Sequence, residues 1–141
     1  MTDIITAIVD VLKDVSGVAD LAGEHVYGDE LPAALASAMP EQAALVIRPS
    51  GGASFQPAGK VKAETQRFDL VAYGPTPFEA DRLRRAGARA LMALQRHLEG
   101  SVLIHWVQSA GGYLTGRDRD GAWPYAFQSF QTLYATEEVT P

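Results

Sequence analysis

The stretch from residue 63 to residue 98 constrains the fold most, because its hydrophobic period changes from two to about 3.6 across one short, strongly punctuated link. In residues 63–73, Phe68, Leu70 and Ala72 point one way and Arg67, Asp69, Val71 and Tyr73 the other, the alternation of a strand. Gly74-Pro75-Thr76-Pro77 follows. Thr76 is placed to cap a helix, Pro77 suits a first helical position that needs no N–H, and Glu79 completes a capping-box pattern. With successive residues about 100° apart, Ala80, Leu83, Gly87, Ala90, Leu91, Leu94 and Leu98 share one arc. The spacing predicts a helix over 77–98, roughly 33 Å long and stopped by Gly100. Gly87 and Ala90 let its apolar side lie close to a sheet, while Arg82, Arg85, Arg89 and Arg96 share the opposite side.

The flanking segments supply the rest of one domain. Residues 3–15 predict a helix capped by Thr2 or Asp3 and stopped at Gly17, with Ile4, Ile5, Ile8, Val9, Val11, Leu12 and Val15 on one face. Residues 16–40 are less definite: Val18–Ala22 adds a helical turn, and His25-Val26-Tyr27 a short extended piece. Ala43–Arg48 reads as a short buried strand ending at Pro49. Residues 50–62, rich in Gly, Pro and small side chains, read as a long mobile loop of the kind that often carries function. Val102–Ser109 is a strand broken by Ala110-Gly111-Gly112, and residues 116–121 form a solvated turn. Trp123-Pro124 opens a last strand running to Ala135, with Tyr125 and Phe127 on one face and Phe130 and Tyr134 on the other; a bulge or a partner would account for two apolar faces. Residues 136–141 are a frayed tail. The expected fold is therefore α+β: one domain over residues 1–141, with one sheet of about four strands covered on one face by two helices.

Composition narrows the function classes. At 141 residues and 47% apolar the chain can bury a true core, and it has no cysteine for a disulfide scaffold. No run of about 18 apolar residues and no cationic signal sequence is present, so a soluble protein made in a reducing cytoplasm is expected. Residues 1–47 hold eight acids and one base, a net of −7, whereas residues 48–100 hold nine bases and five acids, a net of +4. An acidic front and a basic middle of this kind can dock copies of the chain on one another. The overall charge of −5 argues against binding that depends on neutralising many phosphates. His25, His97 and His105 lack metal-motif spacing, and Gly51-Gly52 and Gly111-Gly112 lack the spacing of a phosphate cradle. None of the serines sits in a nucleophile elbow. No catalytic residue, metal site or cofactor is expected. The arginine stripe reads either as a solvated helix face, as a docking face for an acidic partner or, in an alternative reading, as the contact of a nucleic-acid-binding accessory protein.

Several short motifs, taken in order, carry a family likeness. They are Leu31-Pro32, a strand before a Gly-rich loop, Arg67-Phe68-Asp69-Leu70-Val71-Ala72-Tyr73-Gly74, Thr76-Pro77-Phe78-Glu79-Ala80 opening a long helix, and Trp123-Pro124 opening the last strand. In this order, over roughly residues 4–135, the chain resembles the tail terminator (tail completion) proteins of long-tailed phages and gene transfer agents. The resemblance implies a structural subunit that closes a ring, usually a hexamer. The ring caps the tail tube and joins tail to head, with the tail tube protein and a head-side connector or stopper as partners. It implies no enzymatic activity, no membrane and no direct nucleic-acid recognition. It also implies assembly in the bacterial cytoplasm and a final place at the neck of a virion or virion-like particle. Phe55 and Lys60 in the mobile loop, with Arg82, Arg85, Arg89 and Arg96, are the partner-binding residues this picture proposes.

Overall fold

A computed structural model describes residues 3–32, 43–50, 63–118 and 123–136. In chain order the elements are α1 (Ile4–Lys13), α2 (Ser16–Ala22), β1 (Val26–Gly28), β2 (Ala44–Pro49), β3 (Glu64–Tyr73), α3 (Pro77–Met92), β4 (Gln95–Glu99), β5 (Val102–Asp118) and β6 (Trp123–Thr136). The described strands form one sheet in the order β1-β2-β3-β6-β5-β4, parallel between β1 and β2 and antiparallel elsewhere. The architecture is a mixed α/β sheet with its described helices on one face, larger by two strands and one helix than the sequence predicts.

Local chemistry explains where the helices start. Asp3 caps α1 by accepting from the Thr6 N–H at 2.7 Å. Thr76 caps α3 by accepting from the Glu79 N–H at 3.1 Å, with Pro77 in the first turn. The ends differ from expectation. α1 stops at Lys13, and Gly17, read as its stop, lies inside α2.

The helix predicted over 77–98 ends at Met92, and the chain turns into β4 instead. Gly100, read as a helix stop, has φ +61° and sits with Ser101 in a two-residue hairpin between the paired Glu99 and Val102, a loop class that favours Gly because it needs positive φ. Leu98, assigned to the helix's apolar arc, is 65% exposed. Helical periodicity persisted through the junction by coincidence of spacing, while the Gly-Ser hairpin signal lay beside it.

The main core lies between the helices and the sheet. Ile8 and Leu12 of α1, Val18 of α2 and Leu83 and Leu91 of α3 pack on Leu45 and Ile47 of β2, Phe68 and Leu70 of β3, Ile104 of β5 and Phe130 of β6. Phe68 and Phe130 are paired across β3 and β6 and stack with ring centres 5.5 Å apart. The expected closeness of α3 is present at Gly87: a Cβ there would lie 2.9 Å from Leu70 Cδ1 and 3.6 Å from Leu45 Cδ2.

Two irregularities correct the reading of β5. The Gly111-Gly112 break is a bulge within one continuous strand, because Ser109 pairs Phe130 and Tyr113 pairs Gln128, leaving Ala110, Gly111 and Gly112 against Ser129. Glycines tolerate that backbone bend, so the ladder resumes to Asp118; of the turn expected over 116–121, residues 116–118 are strand and 119–121 lie outside the described residues. A second shift lies between Ile104 and Trp106, and buried Thr132 donates to the Trp106 carbonyl at 2.9 Å. β6 itself alternates without interruption from Trp123 to Thr136, so its two apolar faces need no bulge of their own. The mobile-loop and frayed-tail expectations fall, apart from their edges, on residues 51–62 and 137–141, outside the described residues.

Gly74 is where β3 hands over to α3. A Cβ there would lie 2.9 Å from the Ala80 backbone N and 3.2 Å from its Cα, and backbone cannot rotate aside as a side chain can. Gly74→Ala is therefore expected to destabilise the fold by about 1–3 kcal/mol, the usual range for overpacking. The urea midpoint should fall with the m-value unchanged.

Candidate docking surfaces

Three surfaces stand out, each positioned by the core just described. The first is the outer side of α3. Burial of Ala80, Leu83, Gly87 and Leu91 against the sheet turns Arg82, Arg85 and Arg89 to solvent. Arg96 does not belong with them. It is exposed in β4, beyond the helix end, with φ +50°; four arginines on one helical stripe become three because α3 is shorter than its periodicity suggested. Phe78 (71% exposed) and Met92 (48% exposed) lie on the same stripe, since the series 78, 82, 85, 89, 92 steps by four, three, four and three residues. Arg85 forms an ion pair with Asp81 at 3.3 Å, whereas Arg82 and Arg89 form none with a described residue. Phe55 and Lys60 lie outside the described residues.

The second surface is the groove between α1 and the β1 edge of the sheet, a space of about 450 Å3. Ile5, Val9, Gly28 and Pro49 give it apolar lining, and among the described residues Asp3, Asp10, Asp29 and Lys13 supply its charge.

The third is the sheet face opposite the described helices. Register places Val46, Val71, Phe127 and Leu114 in one row across β2, β3, β6 and β5. Tyr73 packs edge-on against Trp123 with ring centres 6.1 Å apart, and Leu31, Tyr125 and Phe127 join the same cluster. The Ser129 hydroxyl donates to Asp69 at 2.7 Å. A depression of about 250 Å3 is lined by Val71, Tyr73, Tyr125 and Phe127 with Arg48, Asp69 and Arg117. The expected division of β3, with Asp69, Val71 and Tyr73 away from Phe68, Leu70 and Ala72, is present.

Arg84 belongs to a polar network that periodicity alone does not reveal. Unlike Arg82, Arg85 and Arg89 it is buried. Its Nε donates to Asp81 at 2.7 Å and its Nη1 to Gln128 Oε1 at 2.5 Å. Gln128 Nε2 donates to Ser109 Oγ at 3.0 Å, and that hydroxyl donates to the Gly111 carbonyl at 2.7 Å. The guanidinium also lies 3.9 Å from the Tyr113 ring centre. The chain of contacts ties α3 to the β5 bulge, and the one hint in the sequence is that Arg84 falls off the Arg82–Arg85–Arg89 line.

Two of the three histidines, His25 and His97, are locally engaged. His25 Nδ1 shares a 2.7 Å hydrogen bond with Tyr27 Oη. His97, expected at a helix C-terminus, lies in β4 with its Nε2 3.1 Å from Glu99. Among the described residues no group of three or more His, Asp or Glu side chains is gathered to hold a metal ion. Tyr134 donates to Glu64 at 2.9 Å. Burial first, then that hydrogen bond and the negative charges of Glu64 and Asp3, push its phenol up to about 12.

The fold is similar to that of a chain in the virion of a native gene transfer agent particle. The two align over 93% of each chain with a TM-score of 0.68 and 13% identity, an identity at which the likeness concerns the fold alone. A second solved chain, 12% identical, aligns over the whole of this one with a TM-score of 0.45, too low to argue from. No protein-family model matches the sequence, and no curated protein matches it.

Replacing Arg84 by Ala strips Gln128 and Asp81 of a charged donor, and a loss of about 2–3 kcal/mol is expected in chemical denaturation. Arg84→Lys should recover little of it, because one ammonium cannot reproduce a planar fork. Tyr134 predicts an alkaline effect of definite sign. Its folded pKa lies above the ordinary value, so its contribution to stability is complete below about pH 10 and is lost as pH rises through about 12. Absorbance titration of phenolate should show a late component that is missing in Tyr134→Phe, and the variant should lose less stability than the wild type between those limits.

Proposed function

We propose that this chain is a structural, ring-forming subunit of a tailed-phage or gene-transfer-agent particle, one that caps the tail tube and joins it to the head. The observation that carries the reading is the end-to-end likeness of its fold to a chain of a gene transfer agent virion, over 93% of both chains. The motif order from Leu31-Pro32 to Trp123-Pro124 points the same way. A role in the neck calls for broad adhesive surfaces, and the prominent features of this molecule are a cationic helix stripe, an acidic groove and an apolar sheet face.

In this reading the ring is a hexamer, and the tail tube protein and a head-side connector or stopper are its neighbours. Phe55 and Lys60 contribute to the tube contact, and the arginines of α3 to contacts within the ring. A ring requires unlike patches on each copy, and the net −7 of residues 1–47 against the net +4 of residues 48–100 supports such a division. The protein works by adhesion without transforming a substrate. Assembly takes place in the bacterial cytoplasm and the final position is the neck of the particle.

Exposure of Arg82, Arg85 and Arg89 on one line keeps a second reading in play, a nucleic-acid-binding accessory protein. Three phosphate contacts on a duplex would give a log–log salt slope of about −2.7. The structural reading expects no such binding. Electron microscopy of particles made without this protein is expected to show filled or intact heads beside separate, unjoined or overlong tails. Particles of normal form, or duplex binding with that salt slope and loss of it in Arg85→Glu/Arg89→Glu, would favour another role.

A further inference from the structure

The α3 stripe is unusual for a solvated helix face. Two large apolar side chains, Phe78 and Met92, stand exposed at its ends, with Arg82 and Arg89 between them unpaired to any described residue. From Phe78 to Met92 the stripe runs about 21 Å along the helix. The groove beside α1 offers the opposite character: Ile5 and Val9 with three carboxylates, Asp3, Asp10 and Asp29, against one lysine, Lys13, among its described lining residues. The spacings also agree. Arg82 and Arg89 are seven residues apart on α3, and Asp3 and Asp10 are seven residues apart along α1, about 10.5 Å in each case.

We infer that the α3 stripe of one copy docks along the α1–β1 groove of the next, with Arg82 and Arg89 against Asp3 and Asp10, Arg85 beside Thr6, and Phe78 just past the Asp3 end. A second copy is the occupant because both complementary halves are carried by this chain, on different parts of its surface. The contact is therefore heterologous, and repetition of it produces a ring if the rotation closes. Closure into a ring rests on the function proposed above, whereas the pairwise contact does not.

The chain has no cysteine, so disulfide trapping reads the contact cleanly even when association is weak. Thr6→Cys places a thiol on the α1 side of the groove and Arg85→Cys places one in the stripe. Arg67→Cys, on β3, replaces Arg85→Cys in a control mixture. Mixing Thr6→Cys copies with Arg85→Cys copies should yield a cross-linked dimer well above the control and above either variant alone. Adding Arg82→Glu and Arg89→Glu to the stripe copy should reduce trapping by about tenfold through like-charge contact. Adding Asp3→Asn and Asp10→Lys to the groove copy should then restore it; Asn keeps the α1 cap intact, and far-UV circular dichroism checks that each variant is folded.

Trapping no better than the Arg67→Cys control overturns the inference. So does trapping indifferent to the charge reversals, or equal trapping of either variant with itself, which is the mark of a two-fold contact. Loss of duplex DNA affinity in Arg82→Glu/Arg89→Glu without loss of trapping would assign the stripe to nucleic acid, and also overturns it. Micrographs of particles lacking the protein decide the neck role separately: unjoined tails without trapping remove only this contact, and trapping with normal particles removes only the neck role.

Discussion

The seating of α3 on the sheet is the contact on which the rest of the molecule depends. It is made possible at Gly87, where the helix backbone comes so near Leu70 and Leu45 that a single added carbon would collide with Leu70. Close approach of this kind maximises dispersion contact between helix and sheet. It also fixes the rotation of the helix about its axis. With Leu83, Gly87 and Leu91 held against the core, Arg82, Arg85 and Arg89 have no direction left but outward. The surface chemistry of the stripe is thus a consequence of packing on its far side.

Arg84 occupies the flank between those two sides, and its burial is tolerable because its charge is paired with a carboxylate. A buried guanidinium without partners would cost several kcal/mol. Here Asp81, Gln128 and the Tyr113 ring surround it, and Gln128 in turn holds Ser109 at the bulge. The bulge at Ala110–Gly112 therefore has a role beyond accommodating extra residues: it presents a strand segment that a helix side chain can grip. Register beyond it is recovered, and β5 runs alongside β6 to the Asp118–Trp123 pair.

Much of this was legible in the residues. Period-two alternation in Arg67–Tyr73 identified β3 and assigned its faces, and the Thr76-Pro77 pair located the start of α3 to the residue. Both signals are local, governed by backbone geometry and by orphan N–H groups that any helix must satisfy. The end of α3 was not legible by the same means. Leu94 still packs on the core, but Leu98, which continues the apolar spacing, lies in a segment that pairs with β5, since edge pairing of β4 satisfies a row of β5 backbone groups that the helix could not. The candidate surfaces divide similarly. Three of the four stripe arginines are where periodicity put them, and Arg96 left the line when the helix ended.

By itself the sequence determined the local states: which short runs alternate, where helices begin, which side of α3 is greasy, and how acidic and basic residues are apportioned along the chain. Tertiary structure alone decided how far those states extend and which neighbours they meet. Extent and adjacency depend on contacts between residues far apart in the chain, such as Arg84 with Gln128 and Phe68 with Phe130. No window along the sequence contains both members of such a pair, so their energy enters only when the sheet and the helix have closed on each other.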